Sequence, residues 1–415
     1  MSDESEDEWA YAPVGTLKGL LQRGRGLGAL EAAHGPGSAG ELVYEGIRQD
    51  WRWDSVDDRH VYLARLVRDL ELSPAPVIAR LTGDEDACEQ ATRVLELLAR
   101  SGSGSGSGSG SVESREALRS YVREGEHWVD VLESVARSWP VEWWDDLADV
   151  ARARLTGDEP LLWRCEPWVR WRPRFGVAAR PGPLGVHTVE VGPSSGRLLA
   201  LLADPGAAEG AKVGALNALA GRPPESALMC LVPSLGTSDG ERPLPLLSRA
   251  VERLGALAVP AAREWVADGR PWLAWIGIEV LAEHGEAVDL PLLSRELAVQ
   301  WEERCWCGPK VLAAGLARFG PDAAEAAPVL RRFWLGTPHS YERPAFVKAL
   351  AAIDPAGLDR VYTESLWDCE SDARLLGVAS APDVPWVRER LARLRDDPME
   401  EPEVRVAAGR RLAGA

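Results

Sequence analysis

Asp397-Pro398-Met399-Glu400-Glu401-Pro402-Glu403-Val404-Arg405-Val406-Ala407-Ala408-Gly409-Arg410-Arg411-Leu412-Ala413-Gly414 repeats, in outline, a pattern met much earlier in the chain. There Asp204-Pro205 leads into Lys212-Val213 and closes at Leu219-Ala220-Gly221. Aspartate and cation are eight residues apart in both copies. A second echo is Pro-Leu-Leu-Ser-Arg at 245–249 and again at 291–295, a period of 46, with Ala327-Pro328-Val329-Leu330-Arg331 as a looser third copy. Recurrence at about 40–47 residues marks two-helix units that cannot bury their apolar faces alone and must stack.

Outward from these copies, helical pairs with short turns continue through 196–415, which reads as one repeat array. Segments 16–34, 41–70, 87–100, 112–123 and 128–136 also carry helical spacing of apolar residues, so 16–159 reads as a second helical region. Residues 1–15 are acidic and read as a loose tail. Residues 101–111 alternate Ser and Gly without variation, which has the look of an engineered linker between two helices. That stretch is set aside from functional reasoning. Residues 160–195 break the pattern: Trp, Arg, Pro and Gly dominate, and His187–Val191 has the alternation of a strand. The expected fold is all-α, a right-handed α-α superhelix with a less regular Trp/Arg-rich insertion around 160–195.

Composition narrows the function classes. The 415 residues are 46% hydrophobic with a formal net charge of −17, and 18 of the 28 aromatic residues are tryptophan. Diffuse negative charge repels nucleic acid and anionic membrane. No apolar run approaches the roughly 20 residues a membrane helix needs. The acidic N-terminus lacks the features of a secretion signal, and six scattered cysteines fit a reducing cytoplasm. The Ala/Gly/Arg/Pro-rich composition looks like that of a high-GC actinobacterium.

The stretch 403–412, with the aspartate–cation pairs Asp397/Arg405 and Asp204/Lys212, resembles HEAT repeats, especially the short bacterial type named for phycobilisome lyases. The resemblance covers roughly 196–414 and is weak over 41–160. It implies a solenoid whose adjacent repeats are linked through the aspartate–cation pair. It carries no catalytic residues, since members of the class include adaptors, lyases and DNA-repair glycosylases. A glycosylase of this kind needs a basic concave track, and no ladder of Lys and Arg runs through 196–414.

Motifs for catalysis or metal binding are sparse. Cys305-Trp306-Cys307 is the one close cysteine pair and lacks a partner pair for zinc. The histidines are isolated; His60, His127 and His339 have no His-Glu-x-x-His or Gly-x-Ser-x-Gly context. Neither cofactor nor metal is expected. The strongest local signal is Trp163-Arg164-Cys165-Glu166-Pro167-Trp168-Val169-Arg170-Trp171-Arg172-Pro173-Arg174, a reversal of charge sign in an acidic chain. Arginine forks grip carboxylates and indoles supply apolar area, so Trp163, Arg164, Trp168, Arg170, Trp171, Arg172 and Arg174, with Trp143 and Trp144, are candidates for partner contact. The bland alternative is that these tryptophans plug the junction between helical segments. The expected function is a non-enzymatic cytoplasmic scaffold holding a protein partner, with a basic segment, on its concave face or at this junction. The alternative is an enzyme acting on a small molecule or peptide in a pocket between the N- and C-terminal arrays, recognisable by two carboxylates or a histidine with a carboxylate in that pocket; a HEAT-like DNA glycosylase or nucleic-acid binder ranks after it.

Overall fold

The computed structural model describes residues 11–49, 51, 59–102, 109–155, 165–176 and 193–414. Among them the chain is all-helical, with 23 α-helices joined by turns and 3-10 segments. The only extended pairing among these residues is an isolated bridge between Gly236 and Pro243. No described helix is long and apolar enough to cross a membrane. The expected strand at 187–191 lies outside the described residues.

The helices form because apolar residues recur at helical spacing and local chemistry marks their ends. In the helix Glu85–Ser101, Cys88, Ala91, Val94, Leu95 and Leu98 are buried along one stripe, and the Asp84 carboxylate caps the Ala87 N–H at 2.9 Å. Each buried leucine there contributes about 1.5–3 kcal/mol. Proline opens many of the later helices, where its missing N–H costs nothing, as at Pro271–His284, Pro309–Ala317 and Pro402–Ala413.

Two compact units emerge, one drawing on Met1–Leu184, Pro338–Pro344 and Asp359–Ala415, the other on Gly185–Thr337 and Ala345–Leu358. Residues 359–415 of the expected array 196–415 fall in the same unit as the N-terminal helices. In the second unit Pro271–His284 packs on Leu247–Glu252, Val259–Val266 and Pro309–Ala317, and Leu290–Glu302 packs on Pro309–Ala317 and Ala327–Gly336. Glycine permits close approaches between these helices: a Cβ on Gly277 would lie 2.8 Å from the Ala262 carbonyl oxygen, and one on Gly315 would lie 2.7 Å from Ala282.

In the first unit the core gathers residues of the N-terminal helices together with Cys369 and Met399. Buried ion pairs complete the junction. Arg68 on the helix Arg59–Asp69 pairs with Asp397 at 2.7 Å, Arg65 with Glu400 at 3.0 Å, and Arg374 with Glu400 at 2.7 Å. Arg25 bonds both Glu364 oxygens at 2.8 Å, and Arg343 pairs with Asp368 at 2.7 Å while donating to the Arg23 carbonyl at 2.7 Å. Asp397 thus pairs with two arginines of a sequence-distant helix, whereas Arg405 donates to the Arg395 carbonyl at 3.2 Å. The repeat-linking Asp397/Arg405 pair implied by the resemblance is not the one the fold uses.

Other boundaries shift for local reasons. Residues 11–15, expected as part of a loose tail, are tied down: Ala12 donates to Gln22 at 2.7 Å and the Thr16 side chain caps the next helix. The segment 16–34 is two helices, Leu17–Gln22 and Gly26–His34, because Gly24 turns the chain at φ 63° against Cys369. Ser101 belongs to the helix Glu85–Ser101, and 109–111 to Ser109–Glu124, so both ends of the expected linker are helical.

Candidate functional site

Trp163 and Arg164 lie outside the described residues. The rest of the expected Trp/Arg surface is largely a core wall. The helix Trp168–Phe175 buries Trp168 and Trp171 completely, and Trp144 is 1% exposed. Their rings interlock edge to face: Trp168 meets Trp128 at 6.1 Å and Trp171 at 5.9 Å, and Trp171 meets Trp144 at 5.7 Å. Such pairs add about 0.5–1.5 kcal/mol each beyond the area they bury. Trp143 is half-buried against Trp139, under the Arg115 guanidinium. Arg170 and Arg174 are exposed and Arg172 half-buried. Arg174 pairs with Asp145 at 2.7 Å and Arg170 approaches Glu166 at 3.8 Å. The Trp144, Trp168 and Trp171 indoles therefore pack the interior of the fold.

Buried indole N–H groups need acceptors, and these point to the site. Trp171 donates to Asp145 at 2.9 Å, and Trp168 donates to Glu133 at 2.7 Å. Glu133 lines a cleft of about 430 Å³ flanked by the helices Glu85–Ser101 and Trp128–Ser138. Glu85, Glu89 and Glu96 face it from the first helix, Asp130, Glu133 and Ser134 from the second, with His60 and His127 also on its wall. Five carboxylates stand against two guanidinium groups, those of Arg93 and Arg137. Arg93 bonds Glu89 at 2.5 Å, and the Ser134 hydroxyl donates to Glu96 at 2.6 Å. Burial pushes the Glu96 carboxyl above the usual carboxylate range, and the bonds from Ser134 and Ser138 only partly oppose it. This arrangement holds oriented acceptors for a cationic group.

A smaller recess of about 30 Å³ adjoins the cleft and shares His60 and Arg93 with it. Leu21, Ile47, Leu63 and Val94 form its apolar wall, and Gln22 presents a buried amide.

The second unit carries a different groove of about 610 Å³ over Val251, Ile276, Val280, Val311 and Ala314. Glu279 there accepts the Trp275 indole N–H at 3.0 Å and is raised by burial and by the charge of Glu252. Arg249, Lys310 and Arg318 balance the rim carboxylates.

Cys369 is buried, and burial together with Glu370 pushes its thiol well above the usual range, so it stays neutral and unreactive. Its neighbour Ser340 donates to Glu370 at 2.5 Å, and His339 contacts the Tyr341 hydroxyl at 3.0 Å in the same interior. Cys305 and Cys307 are exposed, and no group of three or more His, Cys, Asp or Glu among the described residues could hold a metal ion.

In the sequence His60 and His127 stand isolated, and no local motif marks Glu96 or Glu133. Helical spacing of Glu85, Glu89 and Glu96 was visible, yet acidic stripes on solvated faces read the same way. No protein-family model matches this chain, and neither the curated proteins nor the solved structures searched contain a match.

Proposed function

We propose that this chain is a non-catalytic scaffold built on HEAT-like helical pairs, and that it captures a basic segment of a partner protein in the acidic cleft of its first unit. The observation carrying this reading is the excess of carboxylates over guanidinium groups in an open cleft between two helices. Trp168 and Ser134 hold two of those carboxylates in place before a ligand arrives, which lowers the cost of binding. The packing of Pro271–His284 on both Val259–Val266 and Pro309–Ala317, a sequence neighbour and a next-but-one neighbour, supports the solenoid part of the proposal.

Titrating the protein into fluorescent 12-residue peptides of basic, neutral and acidic composition tests the reading. The basic peptide alone should bind, weaken as salt rises, and lose affinity to a Glu89→Gln/Glu133→Gln variant. Equal binding of all three peptides, or an unaffected variant, would refute it.

One observation favours a second reading. Glu96 is a carboxyl with a raised proton affinity in a cleft that also holds His60 and His127, a combination suited to general acid–base chemistry on a cationic substrate. Cleavage or modification of the basic peptides, detected by mass spectrometry and abolished by Glu96→Gln, would replace the scaffold with an enzyme.

A further inference from the structure

Helix Pro271–His284 packs on Leu247–Glu252 and on Pro309–Ala317, and all three line the groove of about 610 Å³ in the second unit. That volume falls within the roughly 300–1,000 Å³ of small-molecule pockets. The groove is apolar at Val280, Val311, Ala314 and Ala345, and the last three keep accessible surface. Glu279 stands beside this apolar surface. The Trp275 indole N–H, one turn back on the same helix, donates to its Oε1 at 3.0 Å and so holds the carboxylate in place. Its Oε2 has no hydrogen-bond partner and is not closed off by the protein. Arg318, on the same groove, is committed to the Ala282 and Gly285 carbonyls at 2.7 and 2.9 Å. No cation among the described residues acts on Glu279; burial, and then the like charge of Glu252, raise its carboxyl above the usual range. A partly desolvated carboxylate beside a second one carries a cost that a cation from outside would remove.

We propose that this groove binds a small amphiphilic amine, whose ammonium group pairs with Glu279 Oε2 beside Glu252 and whose hydrocarbon body lies on Val280, Val311, Ala314 and Ala345. Both ends are needed: a short amine leaves the apolar surface wet, and a neutral head group leaves the carboxylates unpaired. The site lies wholly in the second unit and does not depend on the acidic cleft of the first.

Ligand-observed NMR titrations of the full chain with n-octylamine, octan-1-ol, octanoate and n-butylamine decide the matter. Octylamine should bind about tenfold more tightly than octan-1-ol, the weight of one charge-assisted hydrogen bond, with octanoate the weakest. It should also exceed butylamine by about tenfold, because four further methylenes reach the apolar surface. Glu279→Gln should bring octylamine to within about threefold of octan-1-ol. Ala314→Phe, at an exposed position of the groove, should weaken every octyl probe by filling the space, and it serves even if Glu279→Gln fails to fold. Equal binding of octylamine and octan-1-ol, a preference for octanoate set by Arg249 and Lys310, or the absence of a chain-length effect overturns the proposal. Octylamine binding that is lost in Glu133→Gln but kept in folded Glu279→Gln assigns the amine to the cleft of the first unit and overturns it too.

Discussion

The Trp168 indole donates to the Glu133 carboxylate at 2.7 Å, so a fully buried core ring sets the position of an acceptor in the cleft. Core packing and recognition share this side chain. Trp168→Phe keeps most of the apolar volume but leaves Glu133 without its donor. It should cost about 1 kcal/mol of stability and loosen binding of a basic peptide severalfold. Trp168→Ala should cost about 3–5 kcal/mol and lower the unfolding midpoint of the first unit. Chemical denaturation combined with peptide titration separates the two effects.

Asp397 and Glu400 contribute to the acid limb of stability. Burial would raise both carboxyls, but Arg68 and Arg65 around the first, and Arg374 and Arg65 around the second, outweigh it and hold them below the usual range. Depressed values mean that their contribution is present above the unfolded carboxylate value near 4 and fades as pH falls through the folded values. Glu400→Gln removes the carboxylate that Arg374 and Arg65 share in the interior and leaves Arg65 with Asp397, so about 3 kcal/mol should be lost at pH 7 with a flatter acid limb. A pH series of denaturant melts checks both; an unchanged acid limb would rule out this assignment.

Glu96 acts with the opposite sign. Its raised value means that its contribution is complete below the unfolded value near 4.3 and is lost as pH rises through the folded one. Glu96→Gln mimics the protonated form and should leave stability at pH 7 equal or higher while weakening cation binding. A clear loss of stability at neutral pH would contradict this.

The glycines separate into tight and open positions. Gly277→Ala and Gly315→Ala place a methyl 2.8 and 2.7 Å from the facing helix and should each cost about 1–3 kcal/mol. Gly214→Ala meets nothing within 4 Å inside the helix Glu209–Ala220 and should stabilise by about 0.4–1 kcal/mol. Thermal melts of the three variants give the comparison directly.

Thiol accessibility offers an independent check on the packing. Cys165, Cys230, Cys305 and Cys307 are exposed, whereas Cys88 and Cys369 are buried. Native protein should react four thiols per chain with an aromatic disulfide reagent and six once denatured. Rapid reaction of a fifth native thiol would mean that one interior is open.

Helicity was legible because 3.6-residue apolar spacing and terminal proline act locally, as in Pro402–Ala413. Tertiary pairing was not. The Asp397–Arg405 spacing was regular, yet Asp397 pairs with Arg65 and Arg68, and no local rule couples positions so far apart. Trp168 and Arg170 stood out by composition, but composition does not say which way a helix turns its faces. Here the indoles turned inward, and the acidic residues that they orient came from other helices.

Arg68 and Asp397 are separated by 329 positions in the chain. At about 5–20 residues per second, a ribosome needs roughly 15–65 seconds to cover that distance. During that interval the earliest helices are already made, with their charged seams still facing water, and the intervening unit is free to collapse first. Nascent-chain care is therefore demanded at the beginning of this polypeptide, and any premature stop near its end leaves the oldest part unfinished.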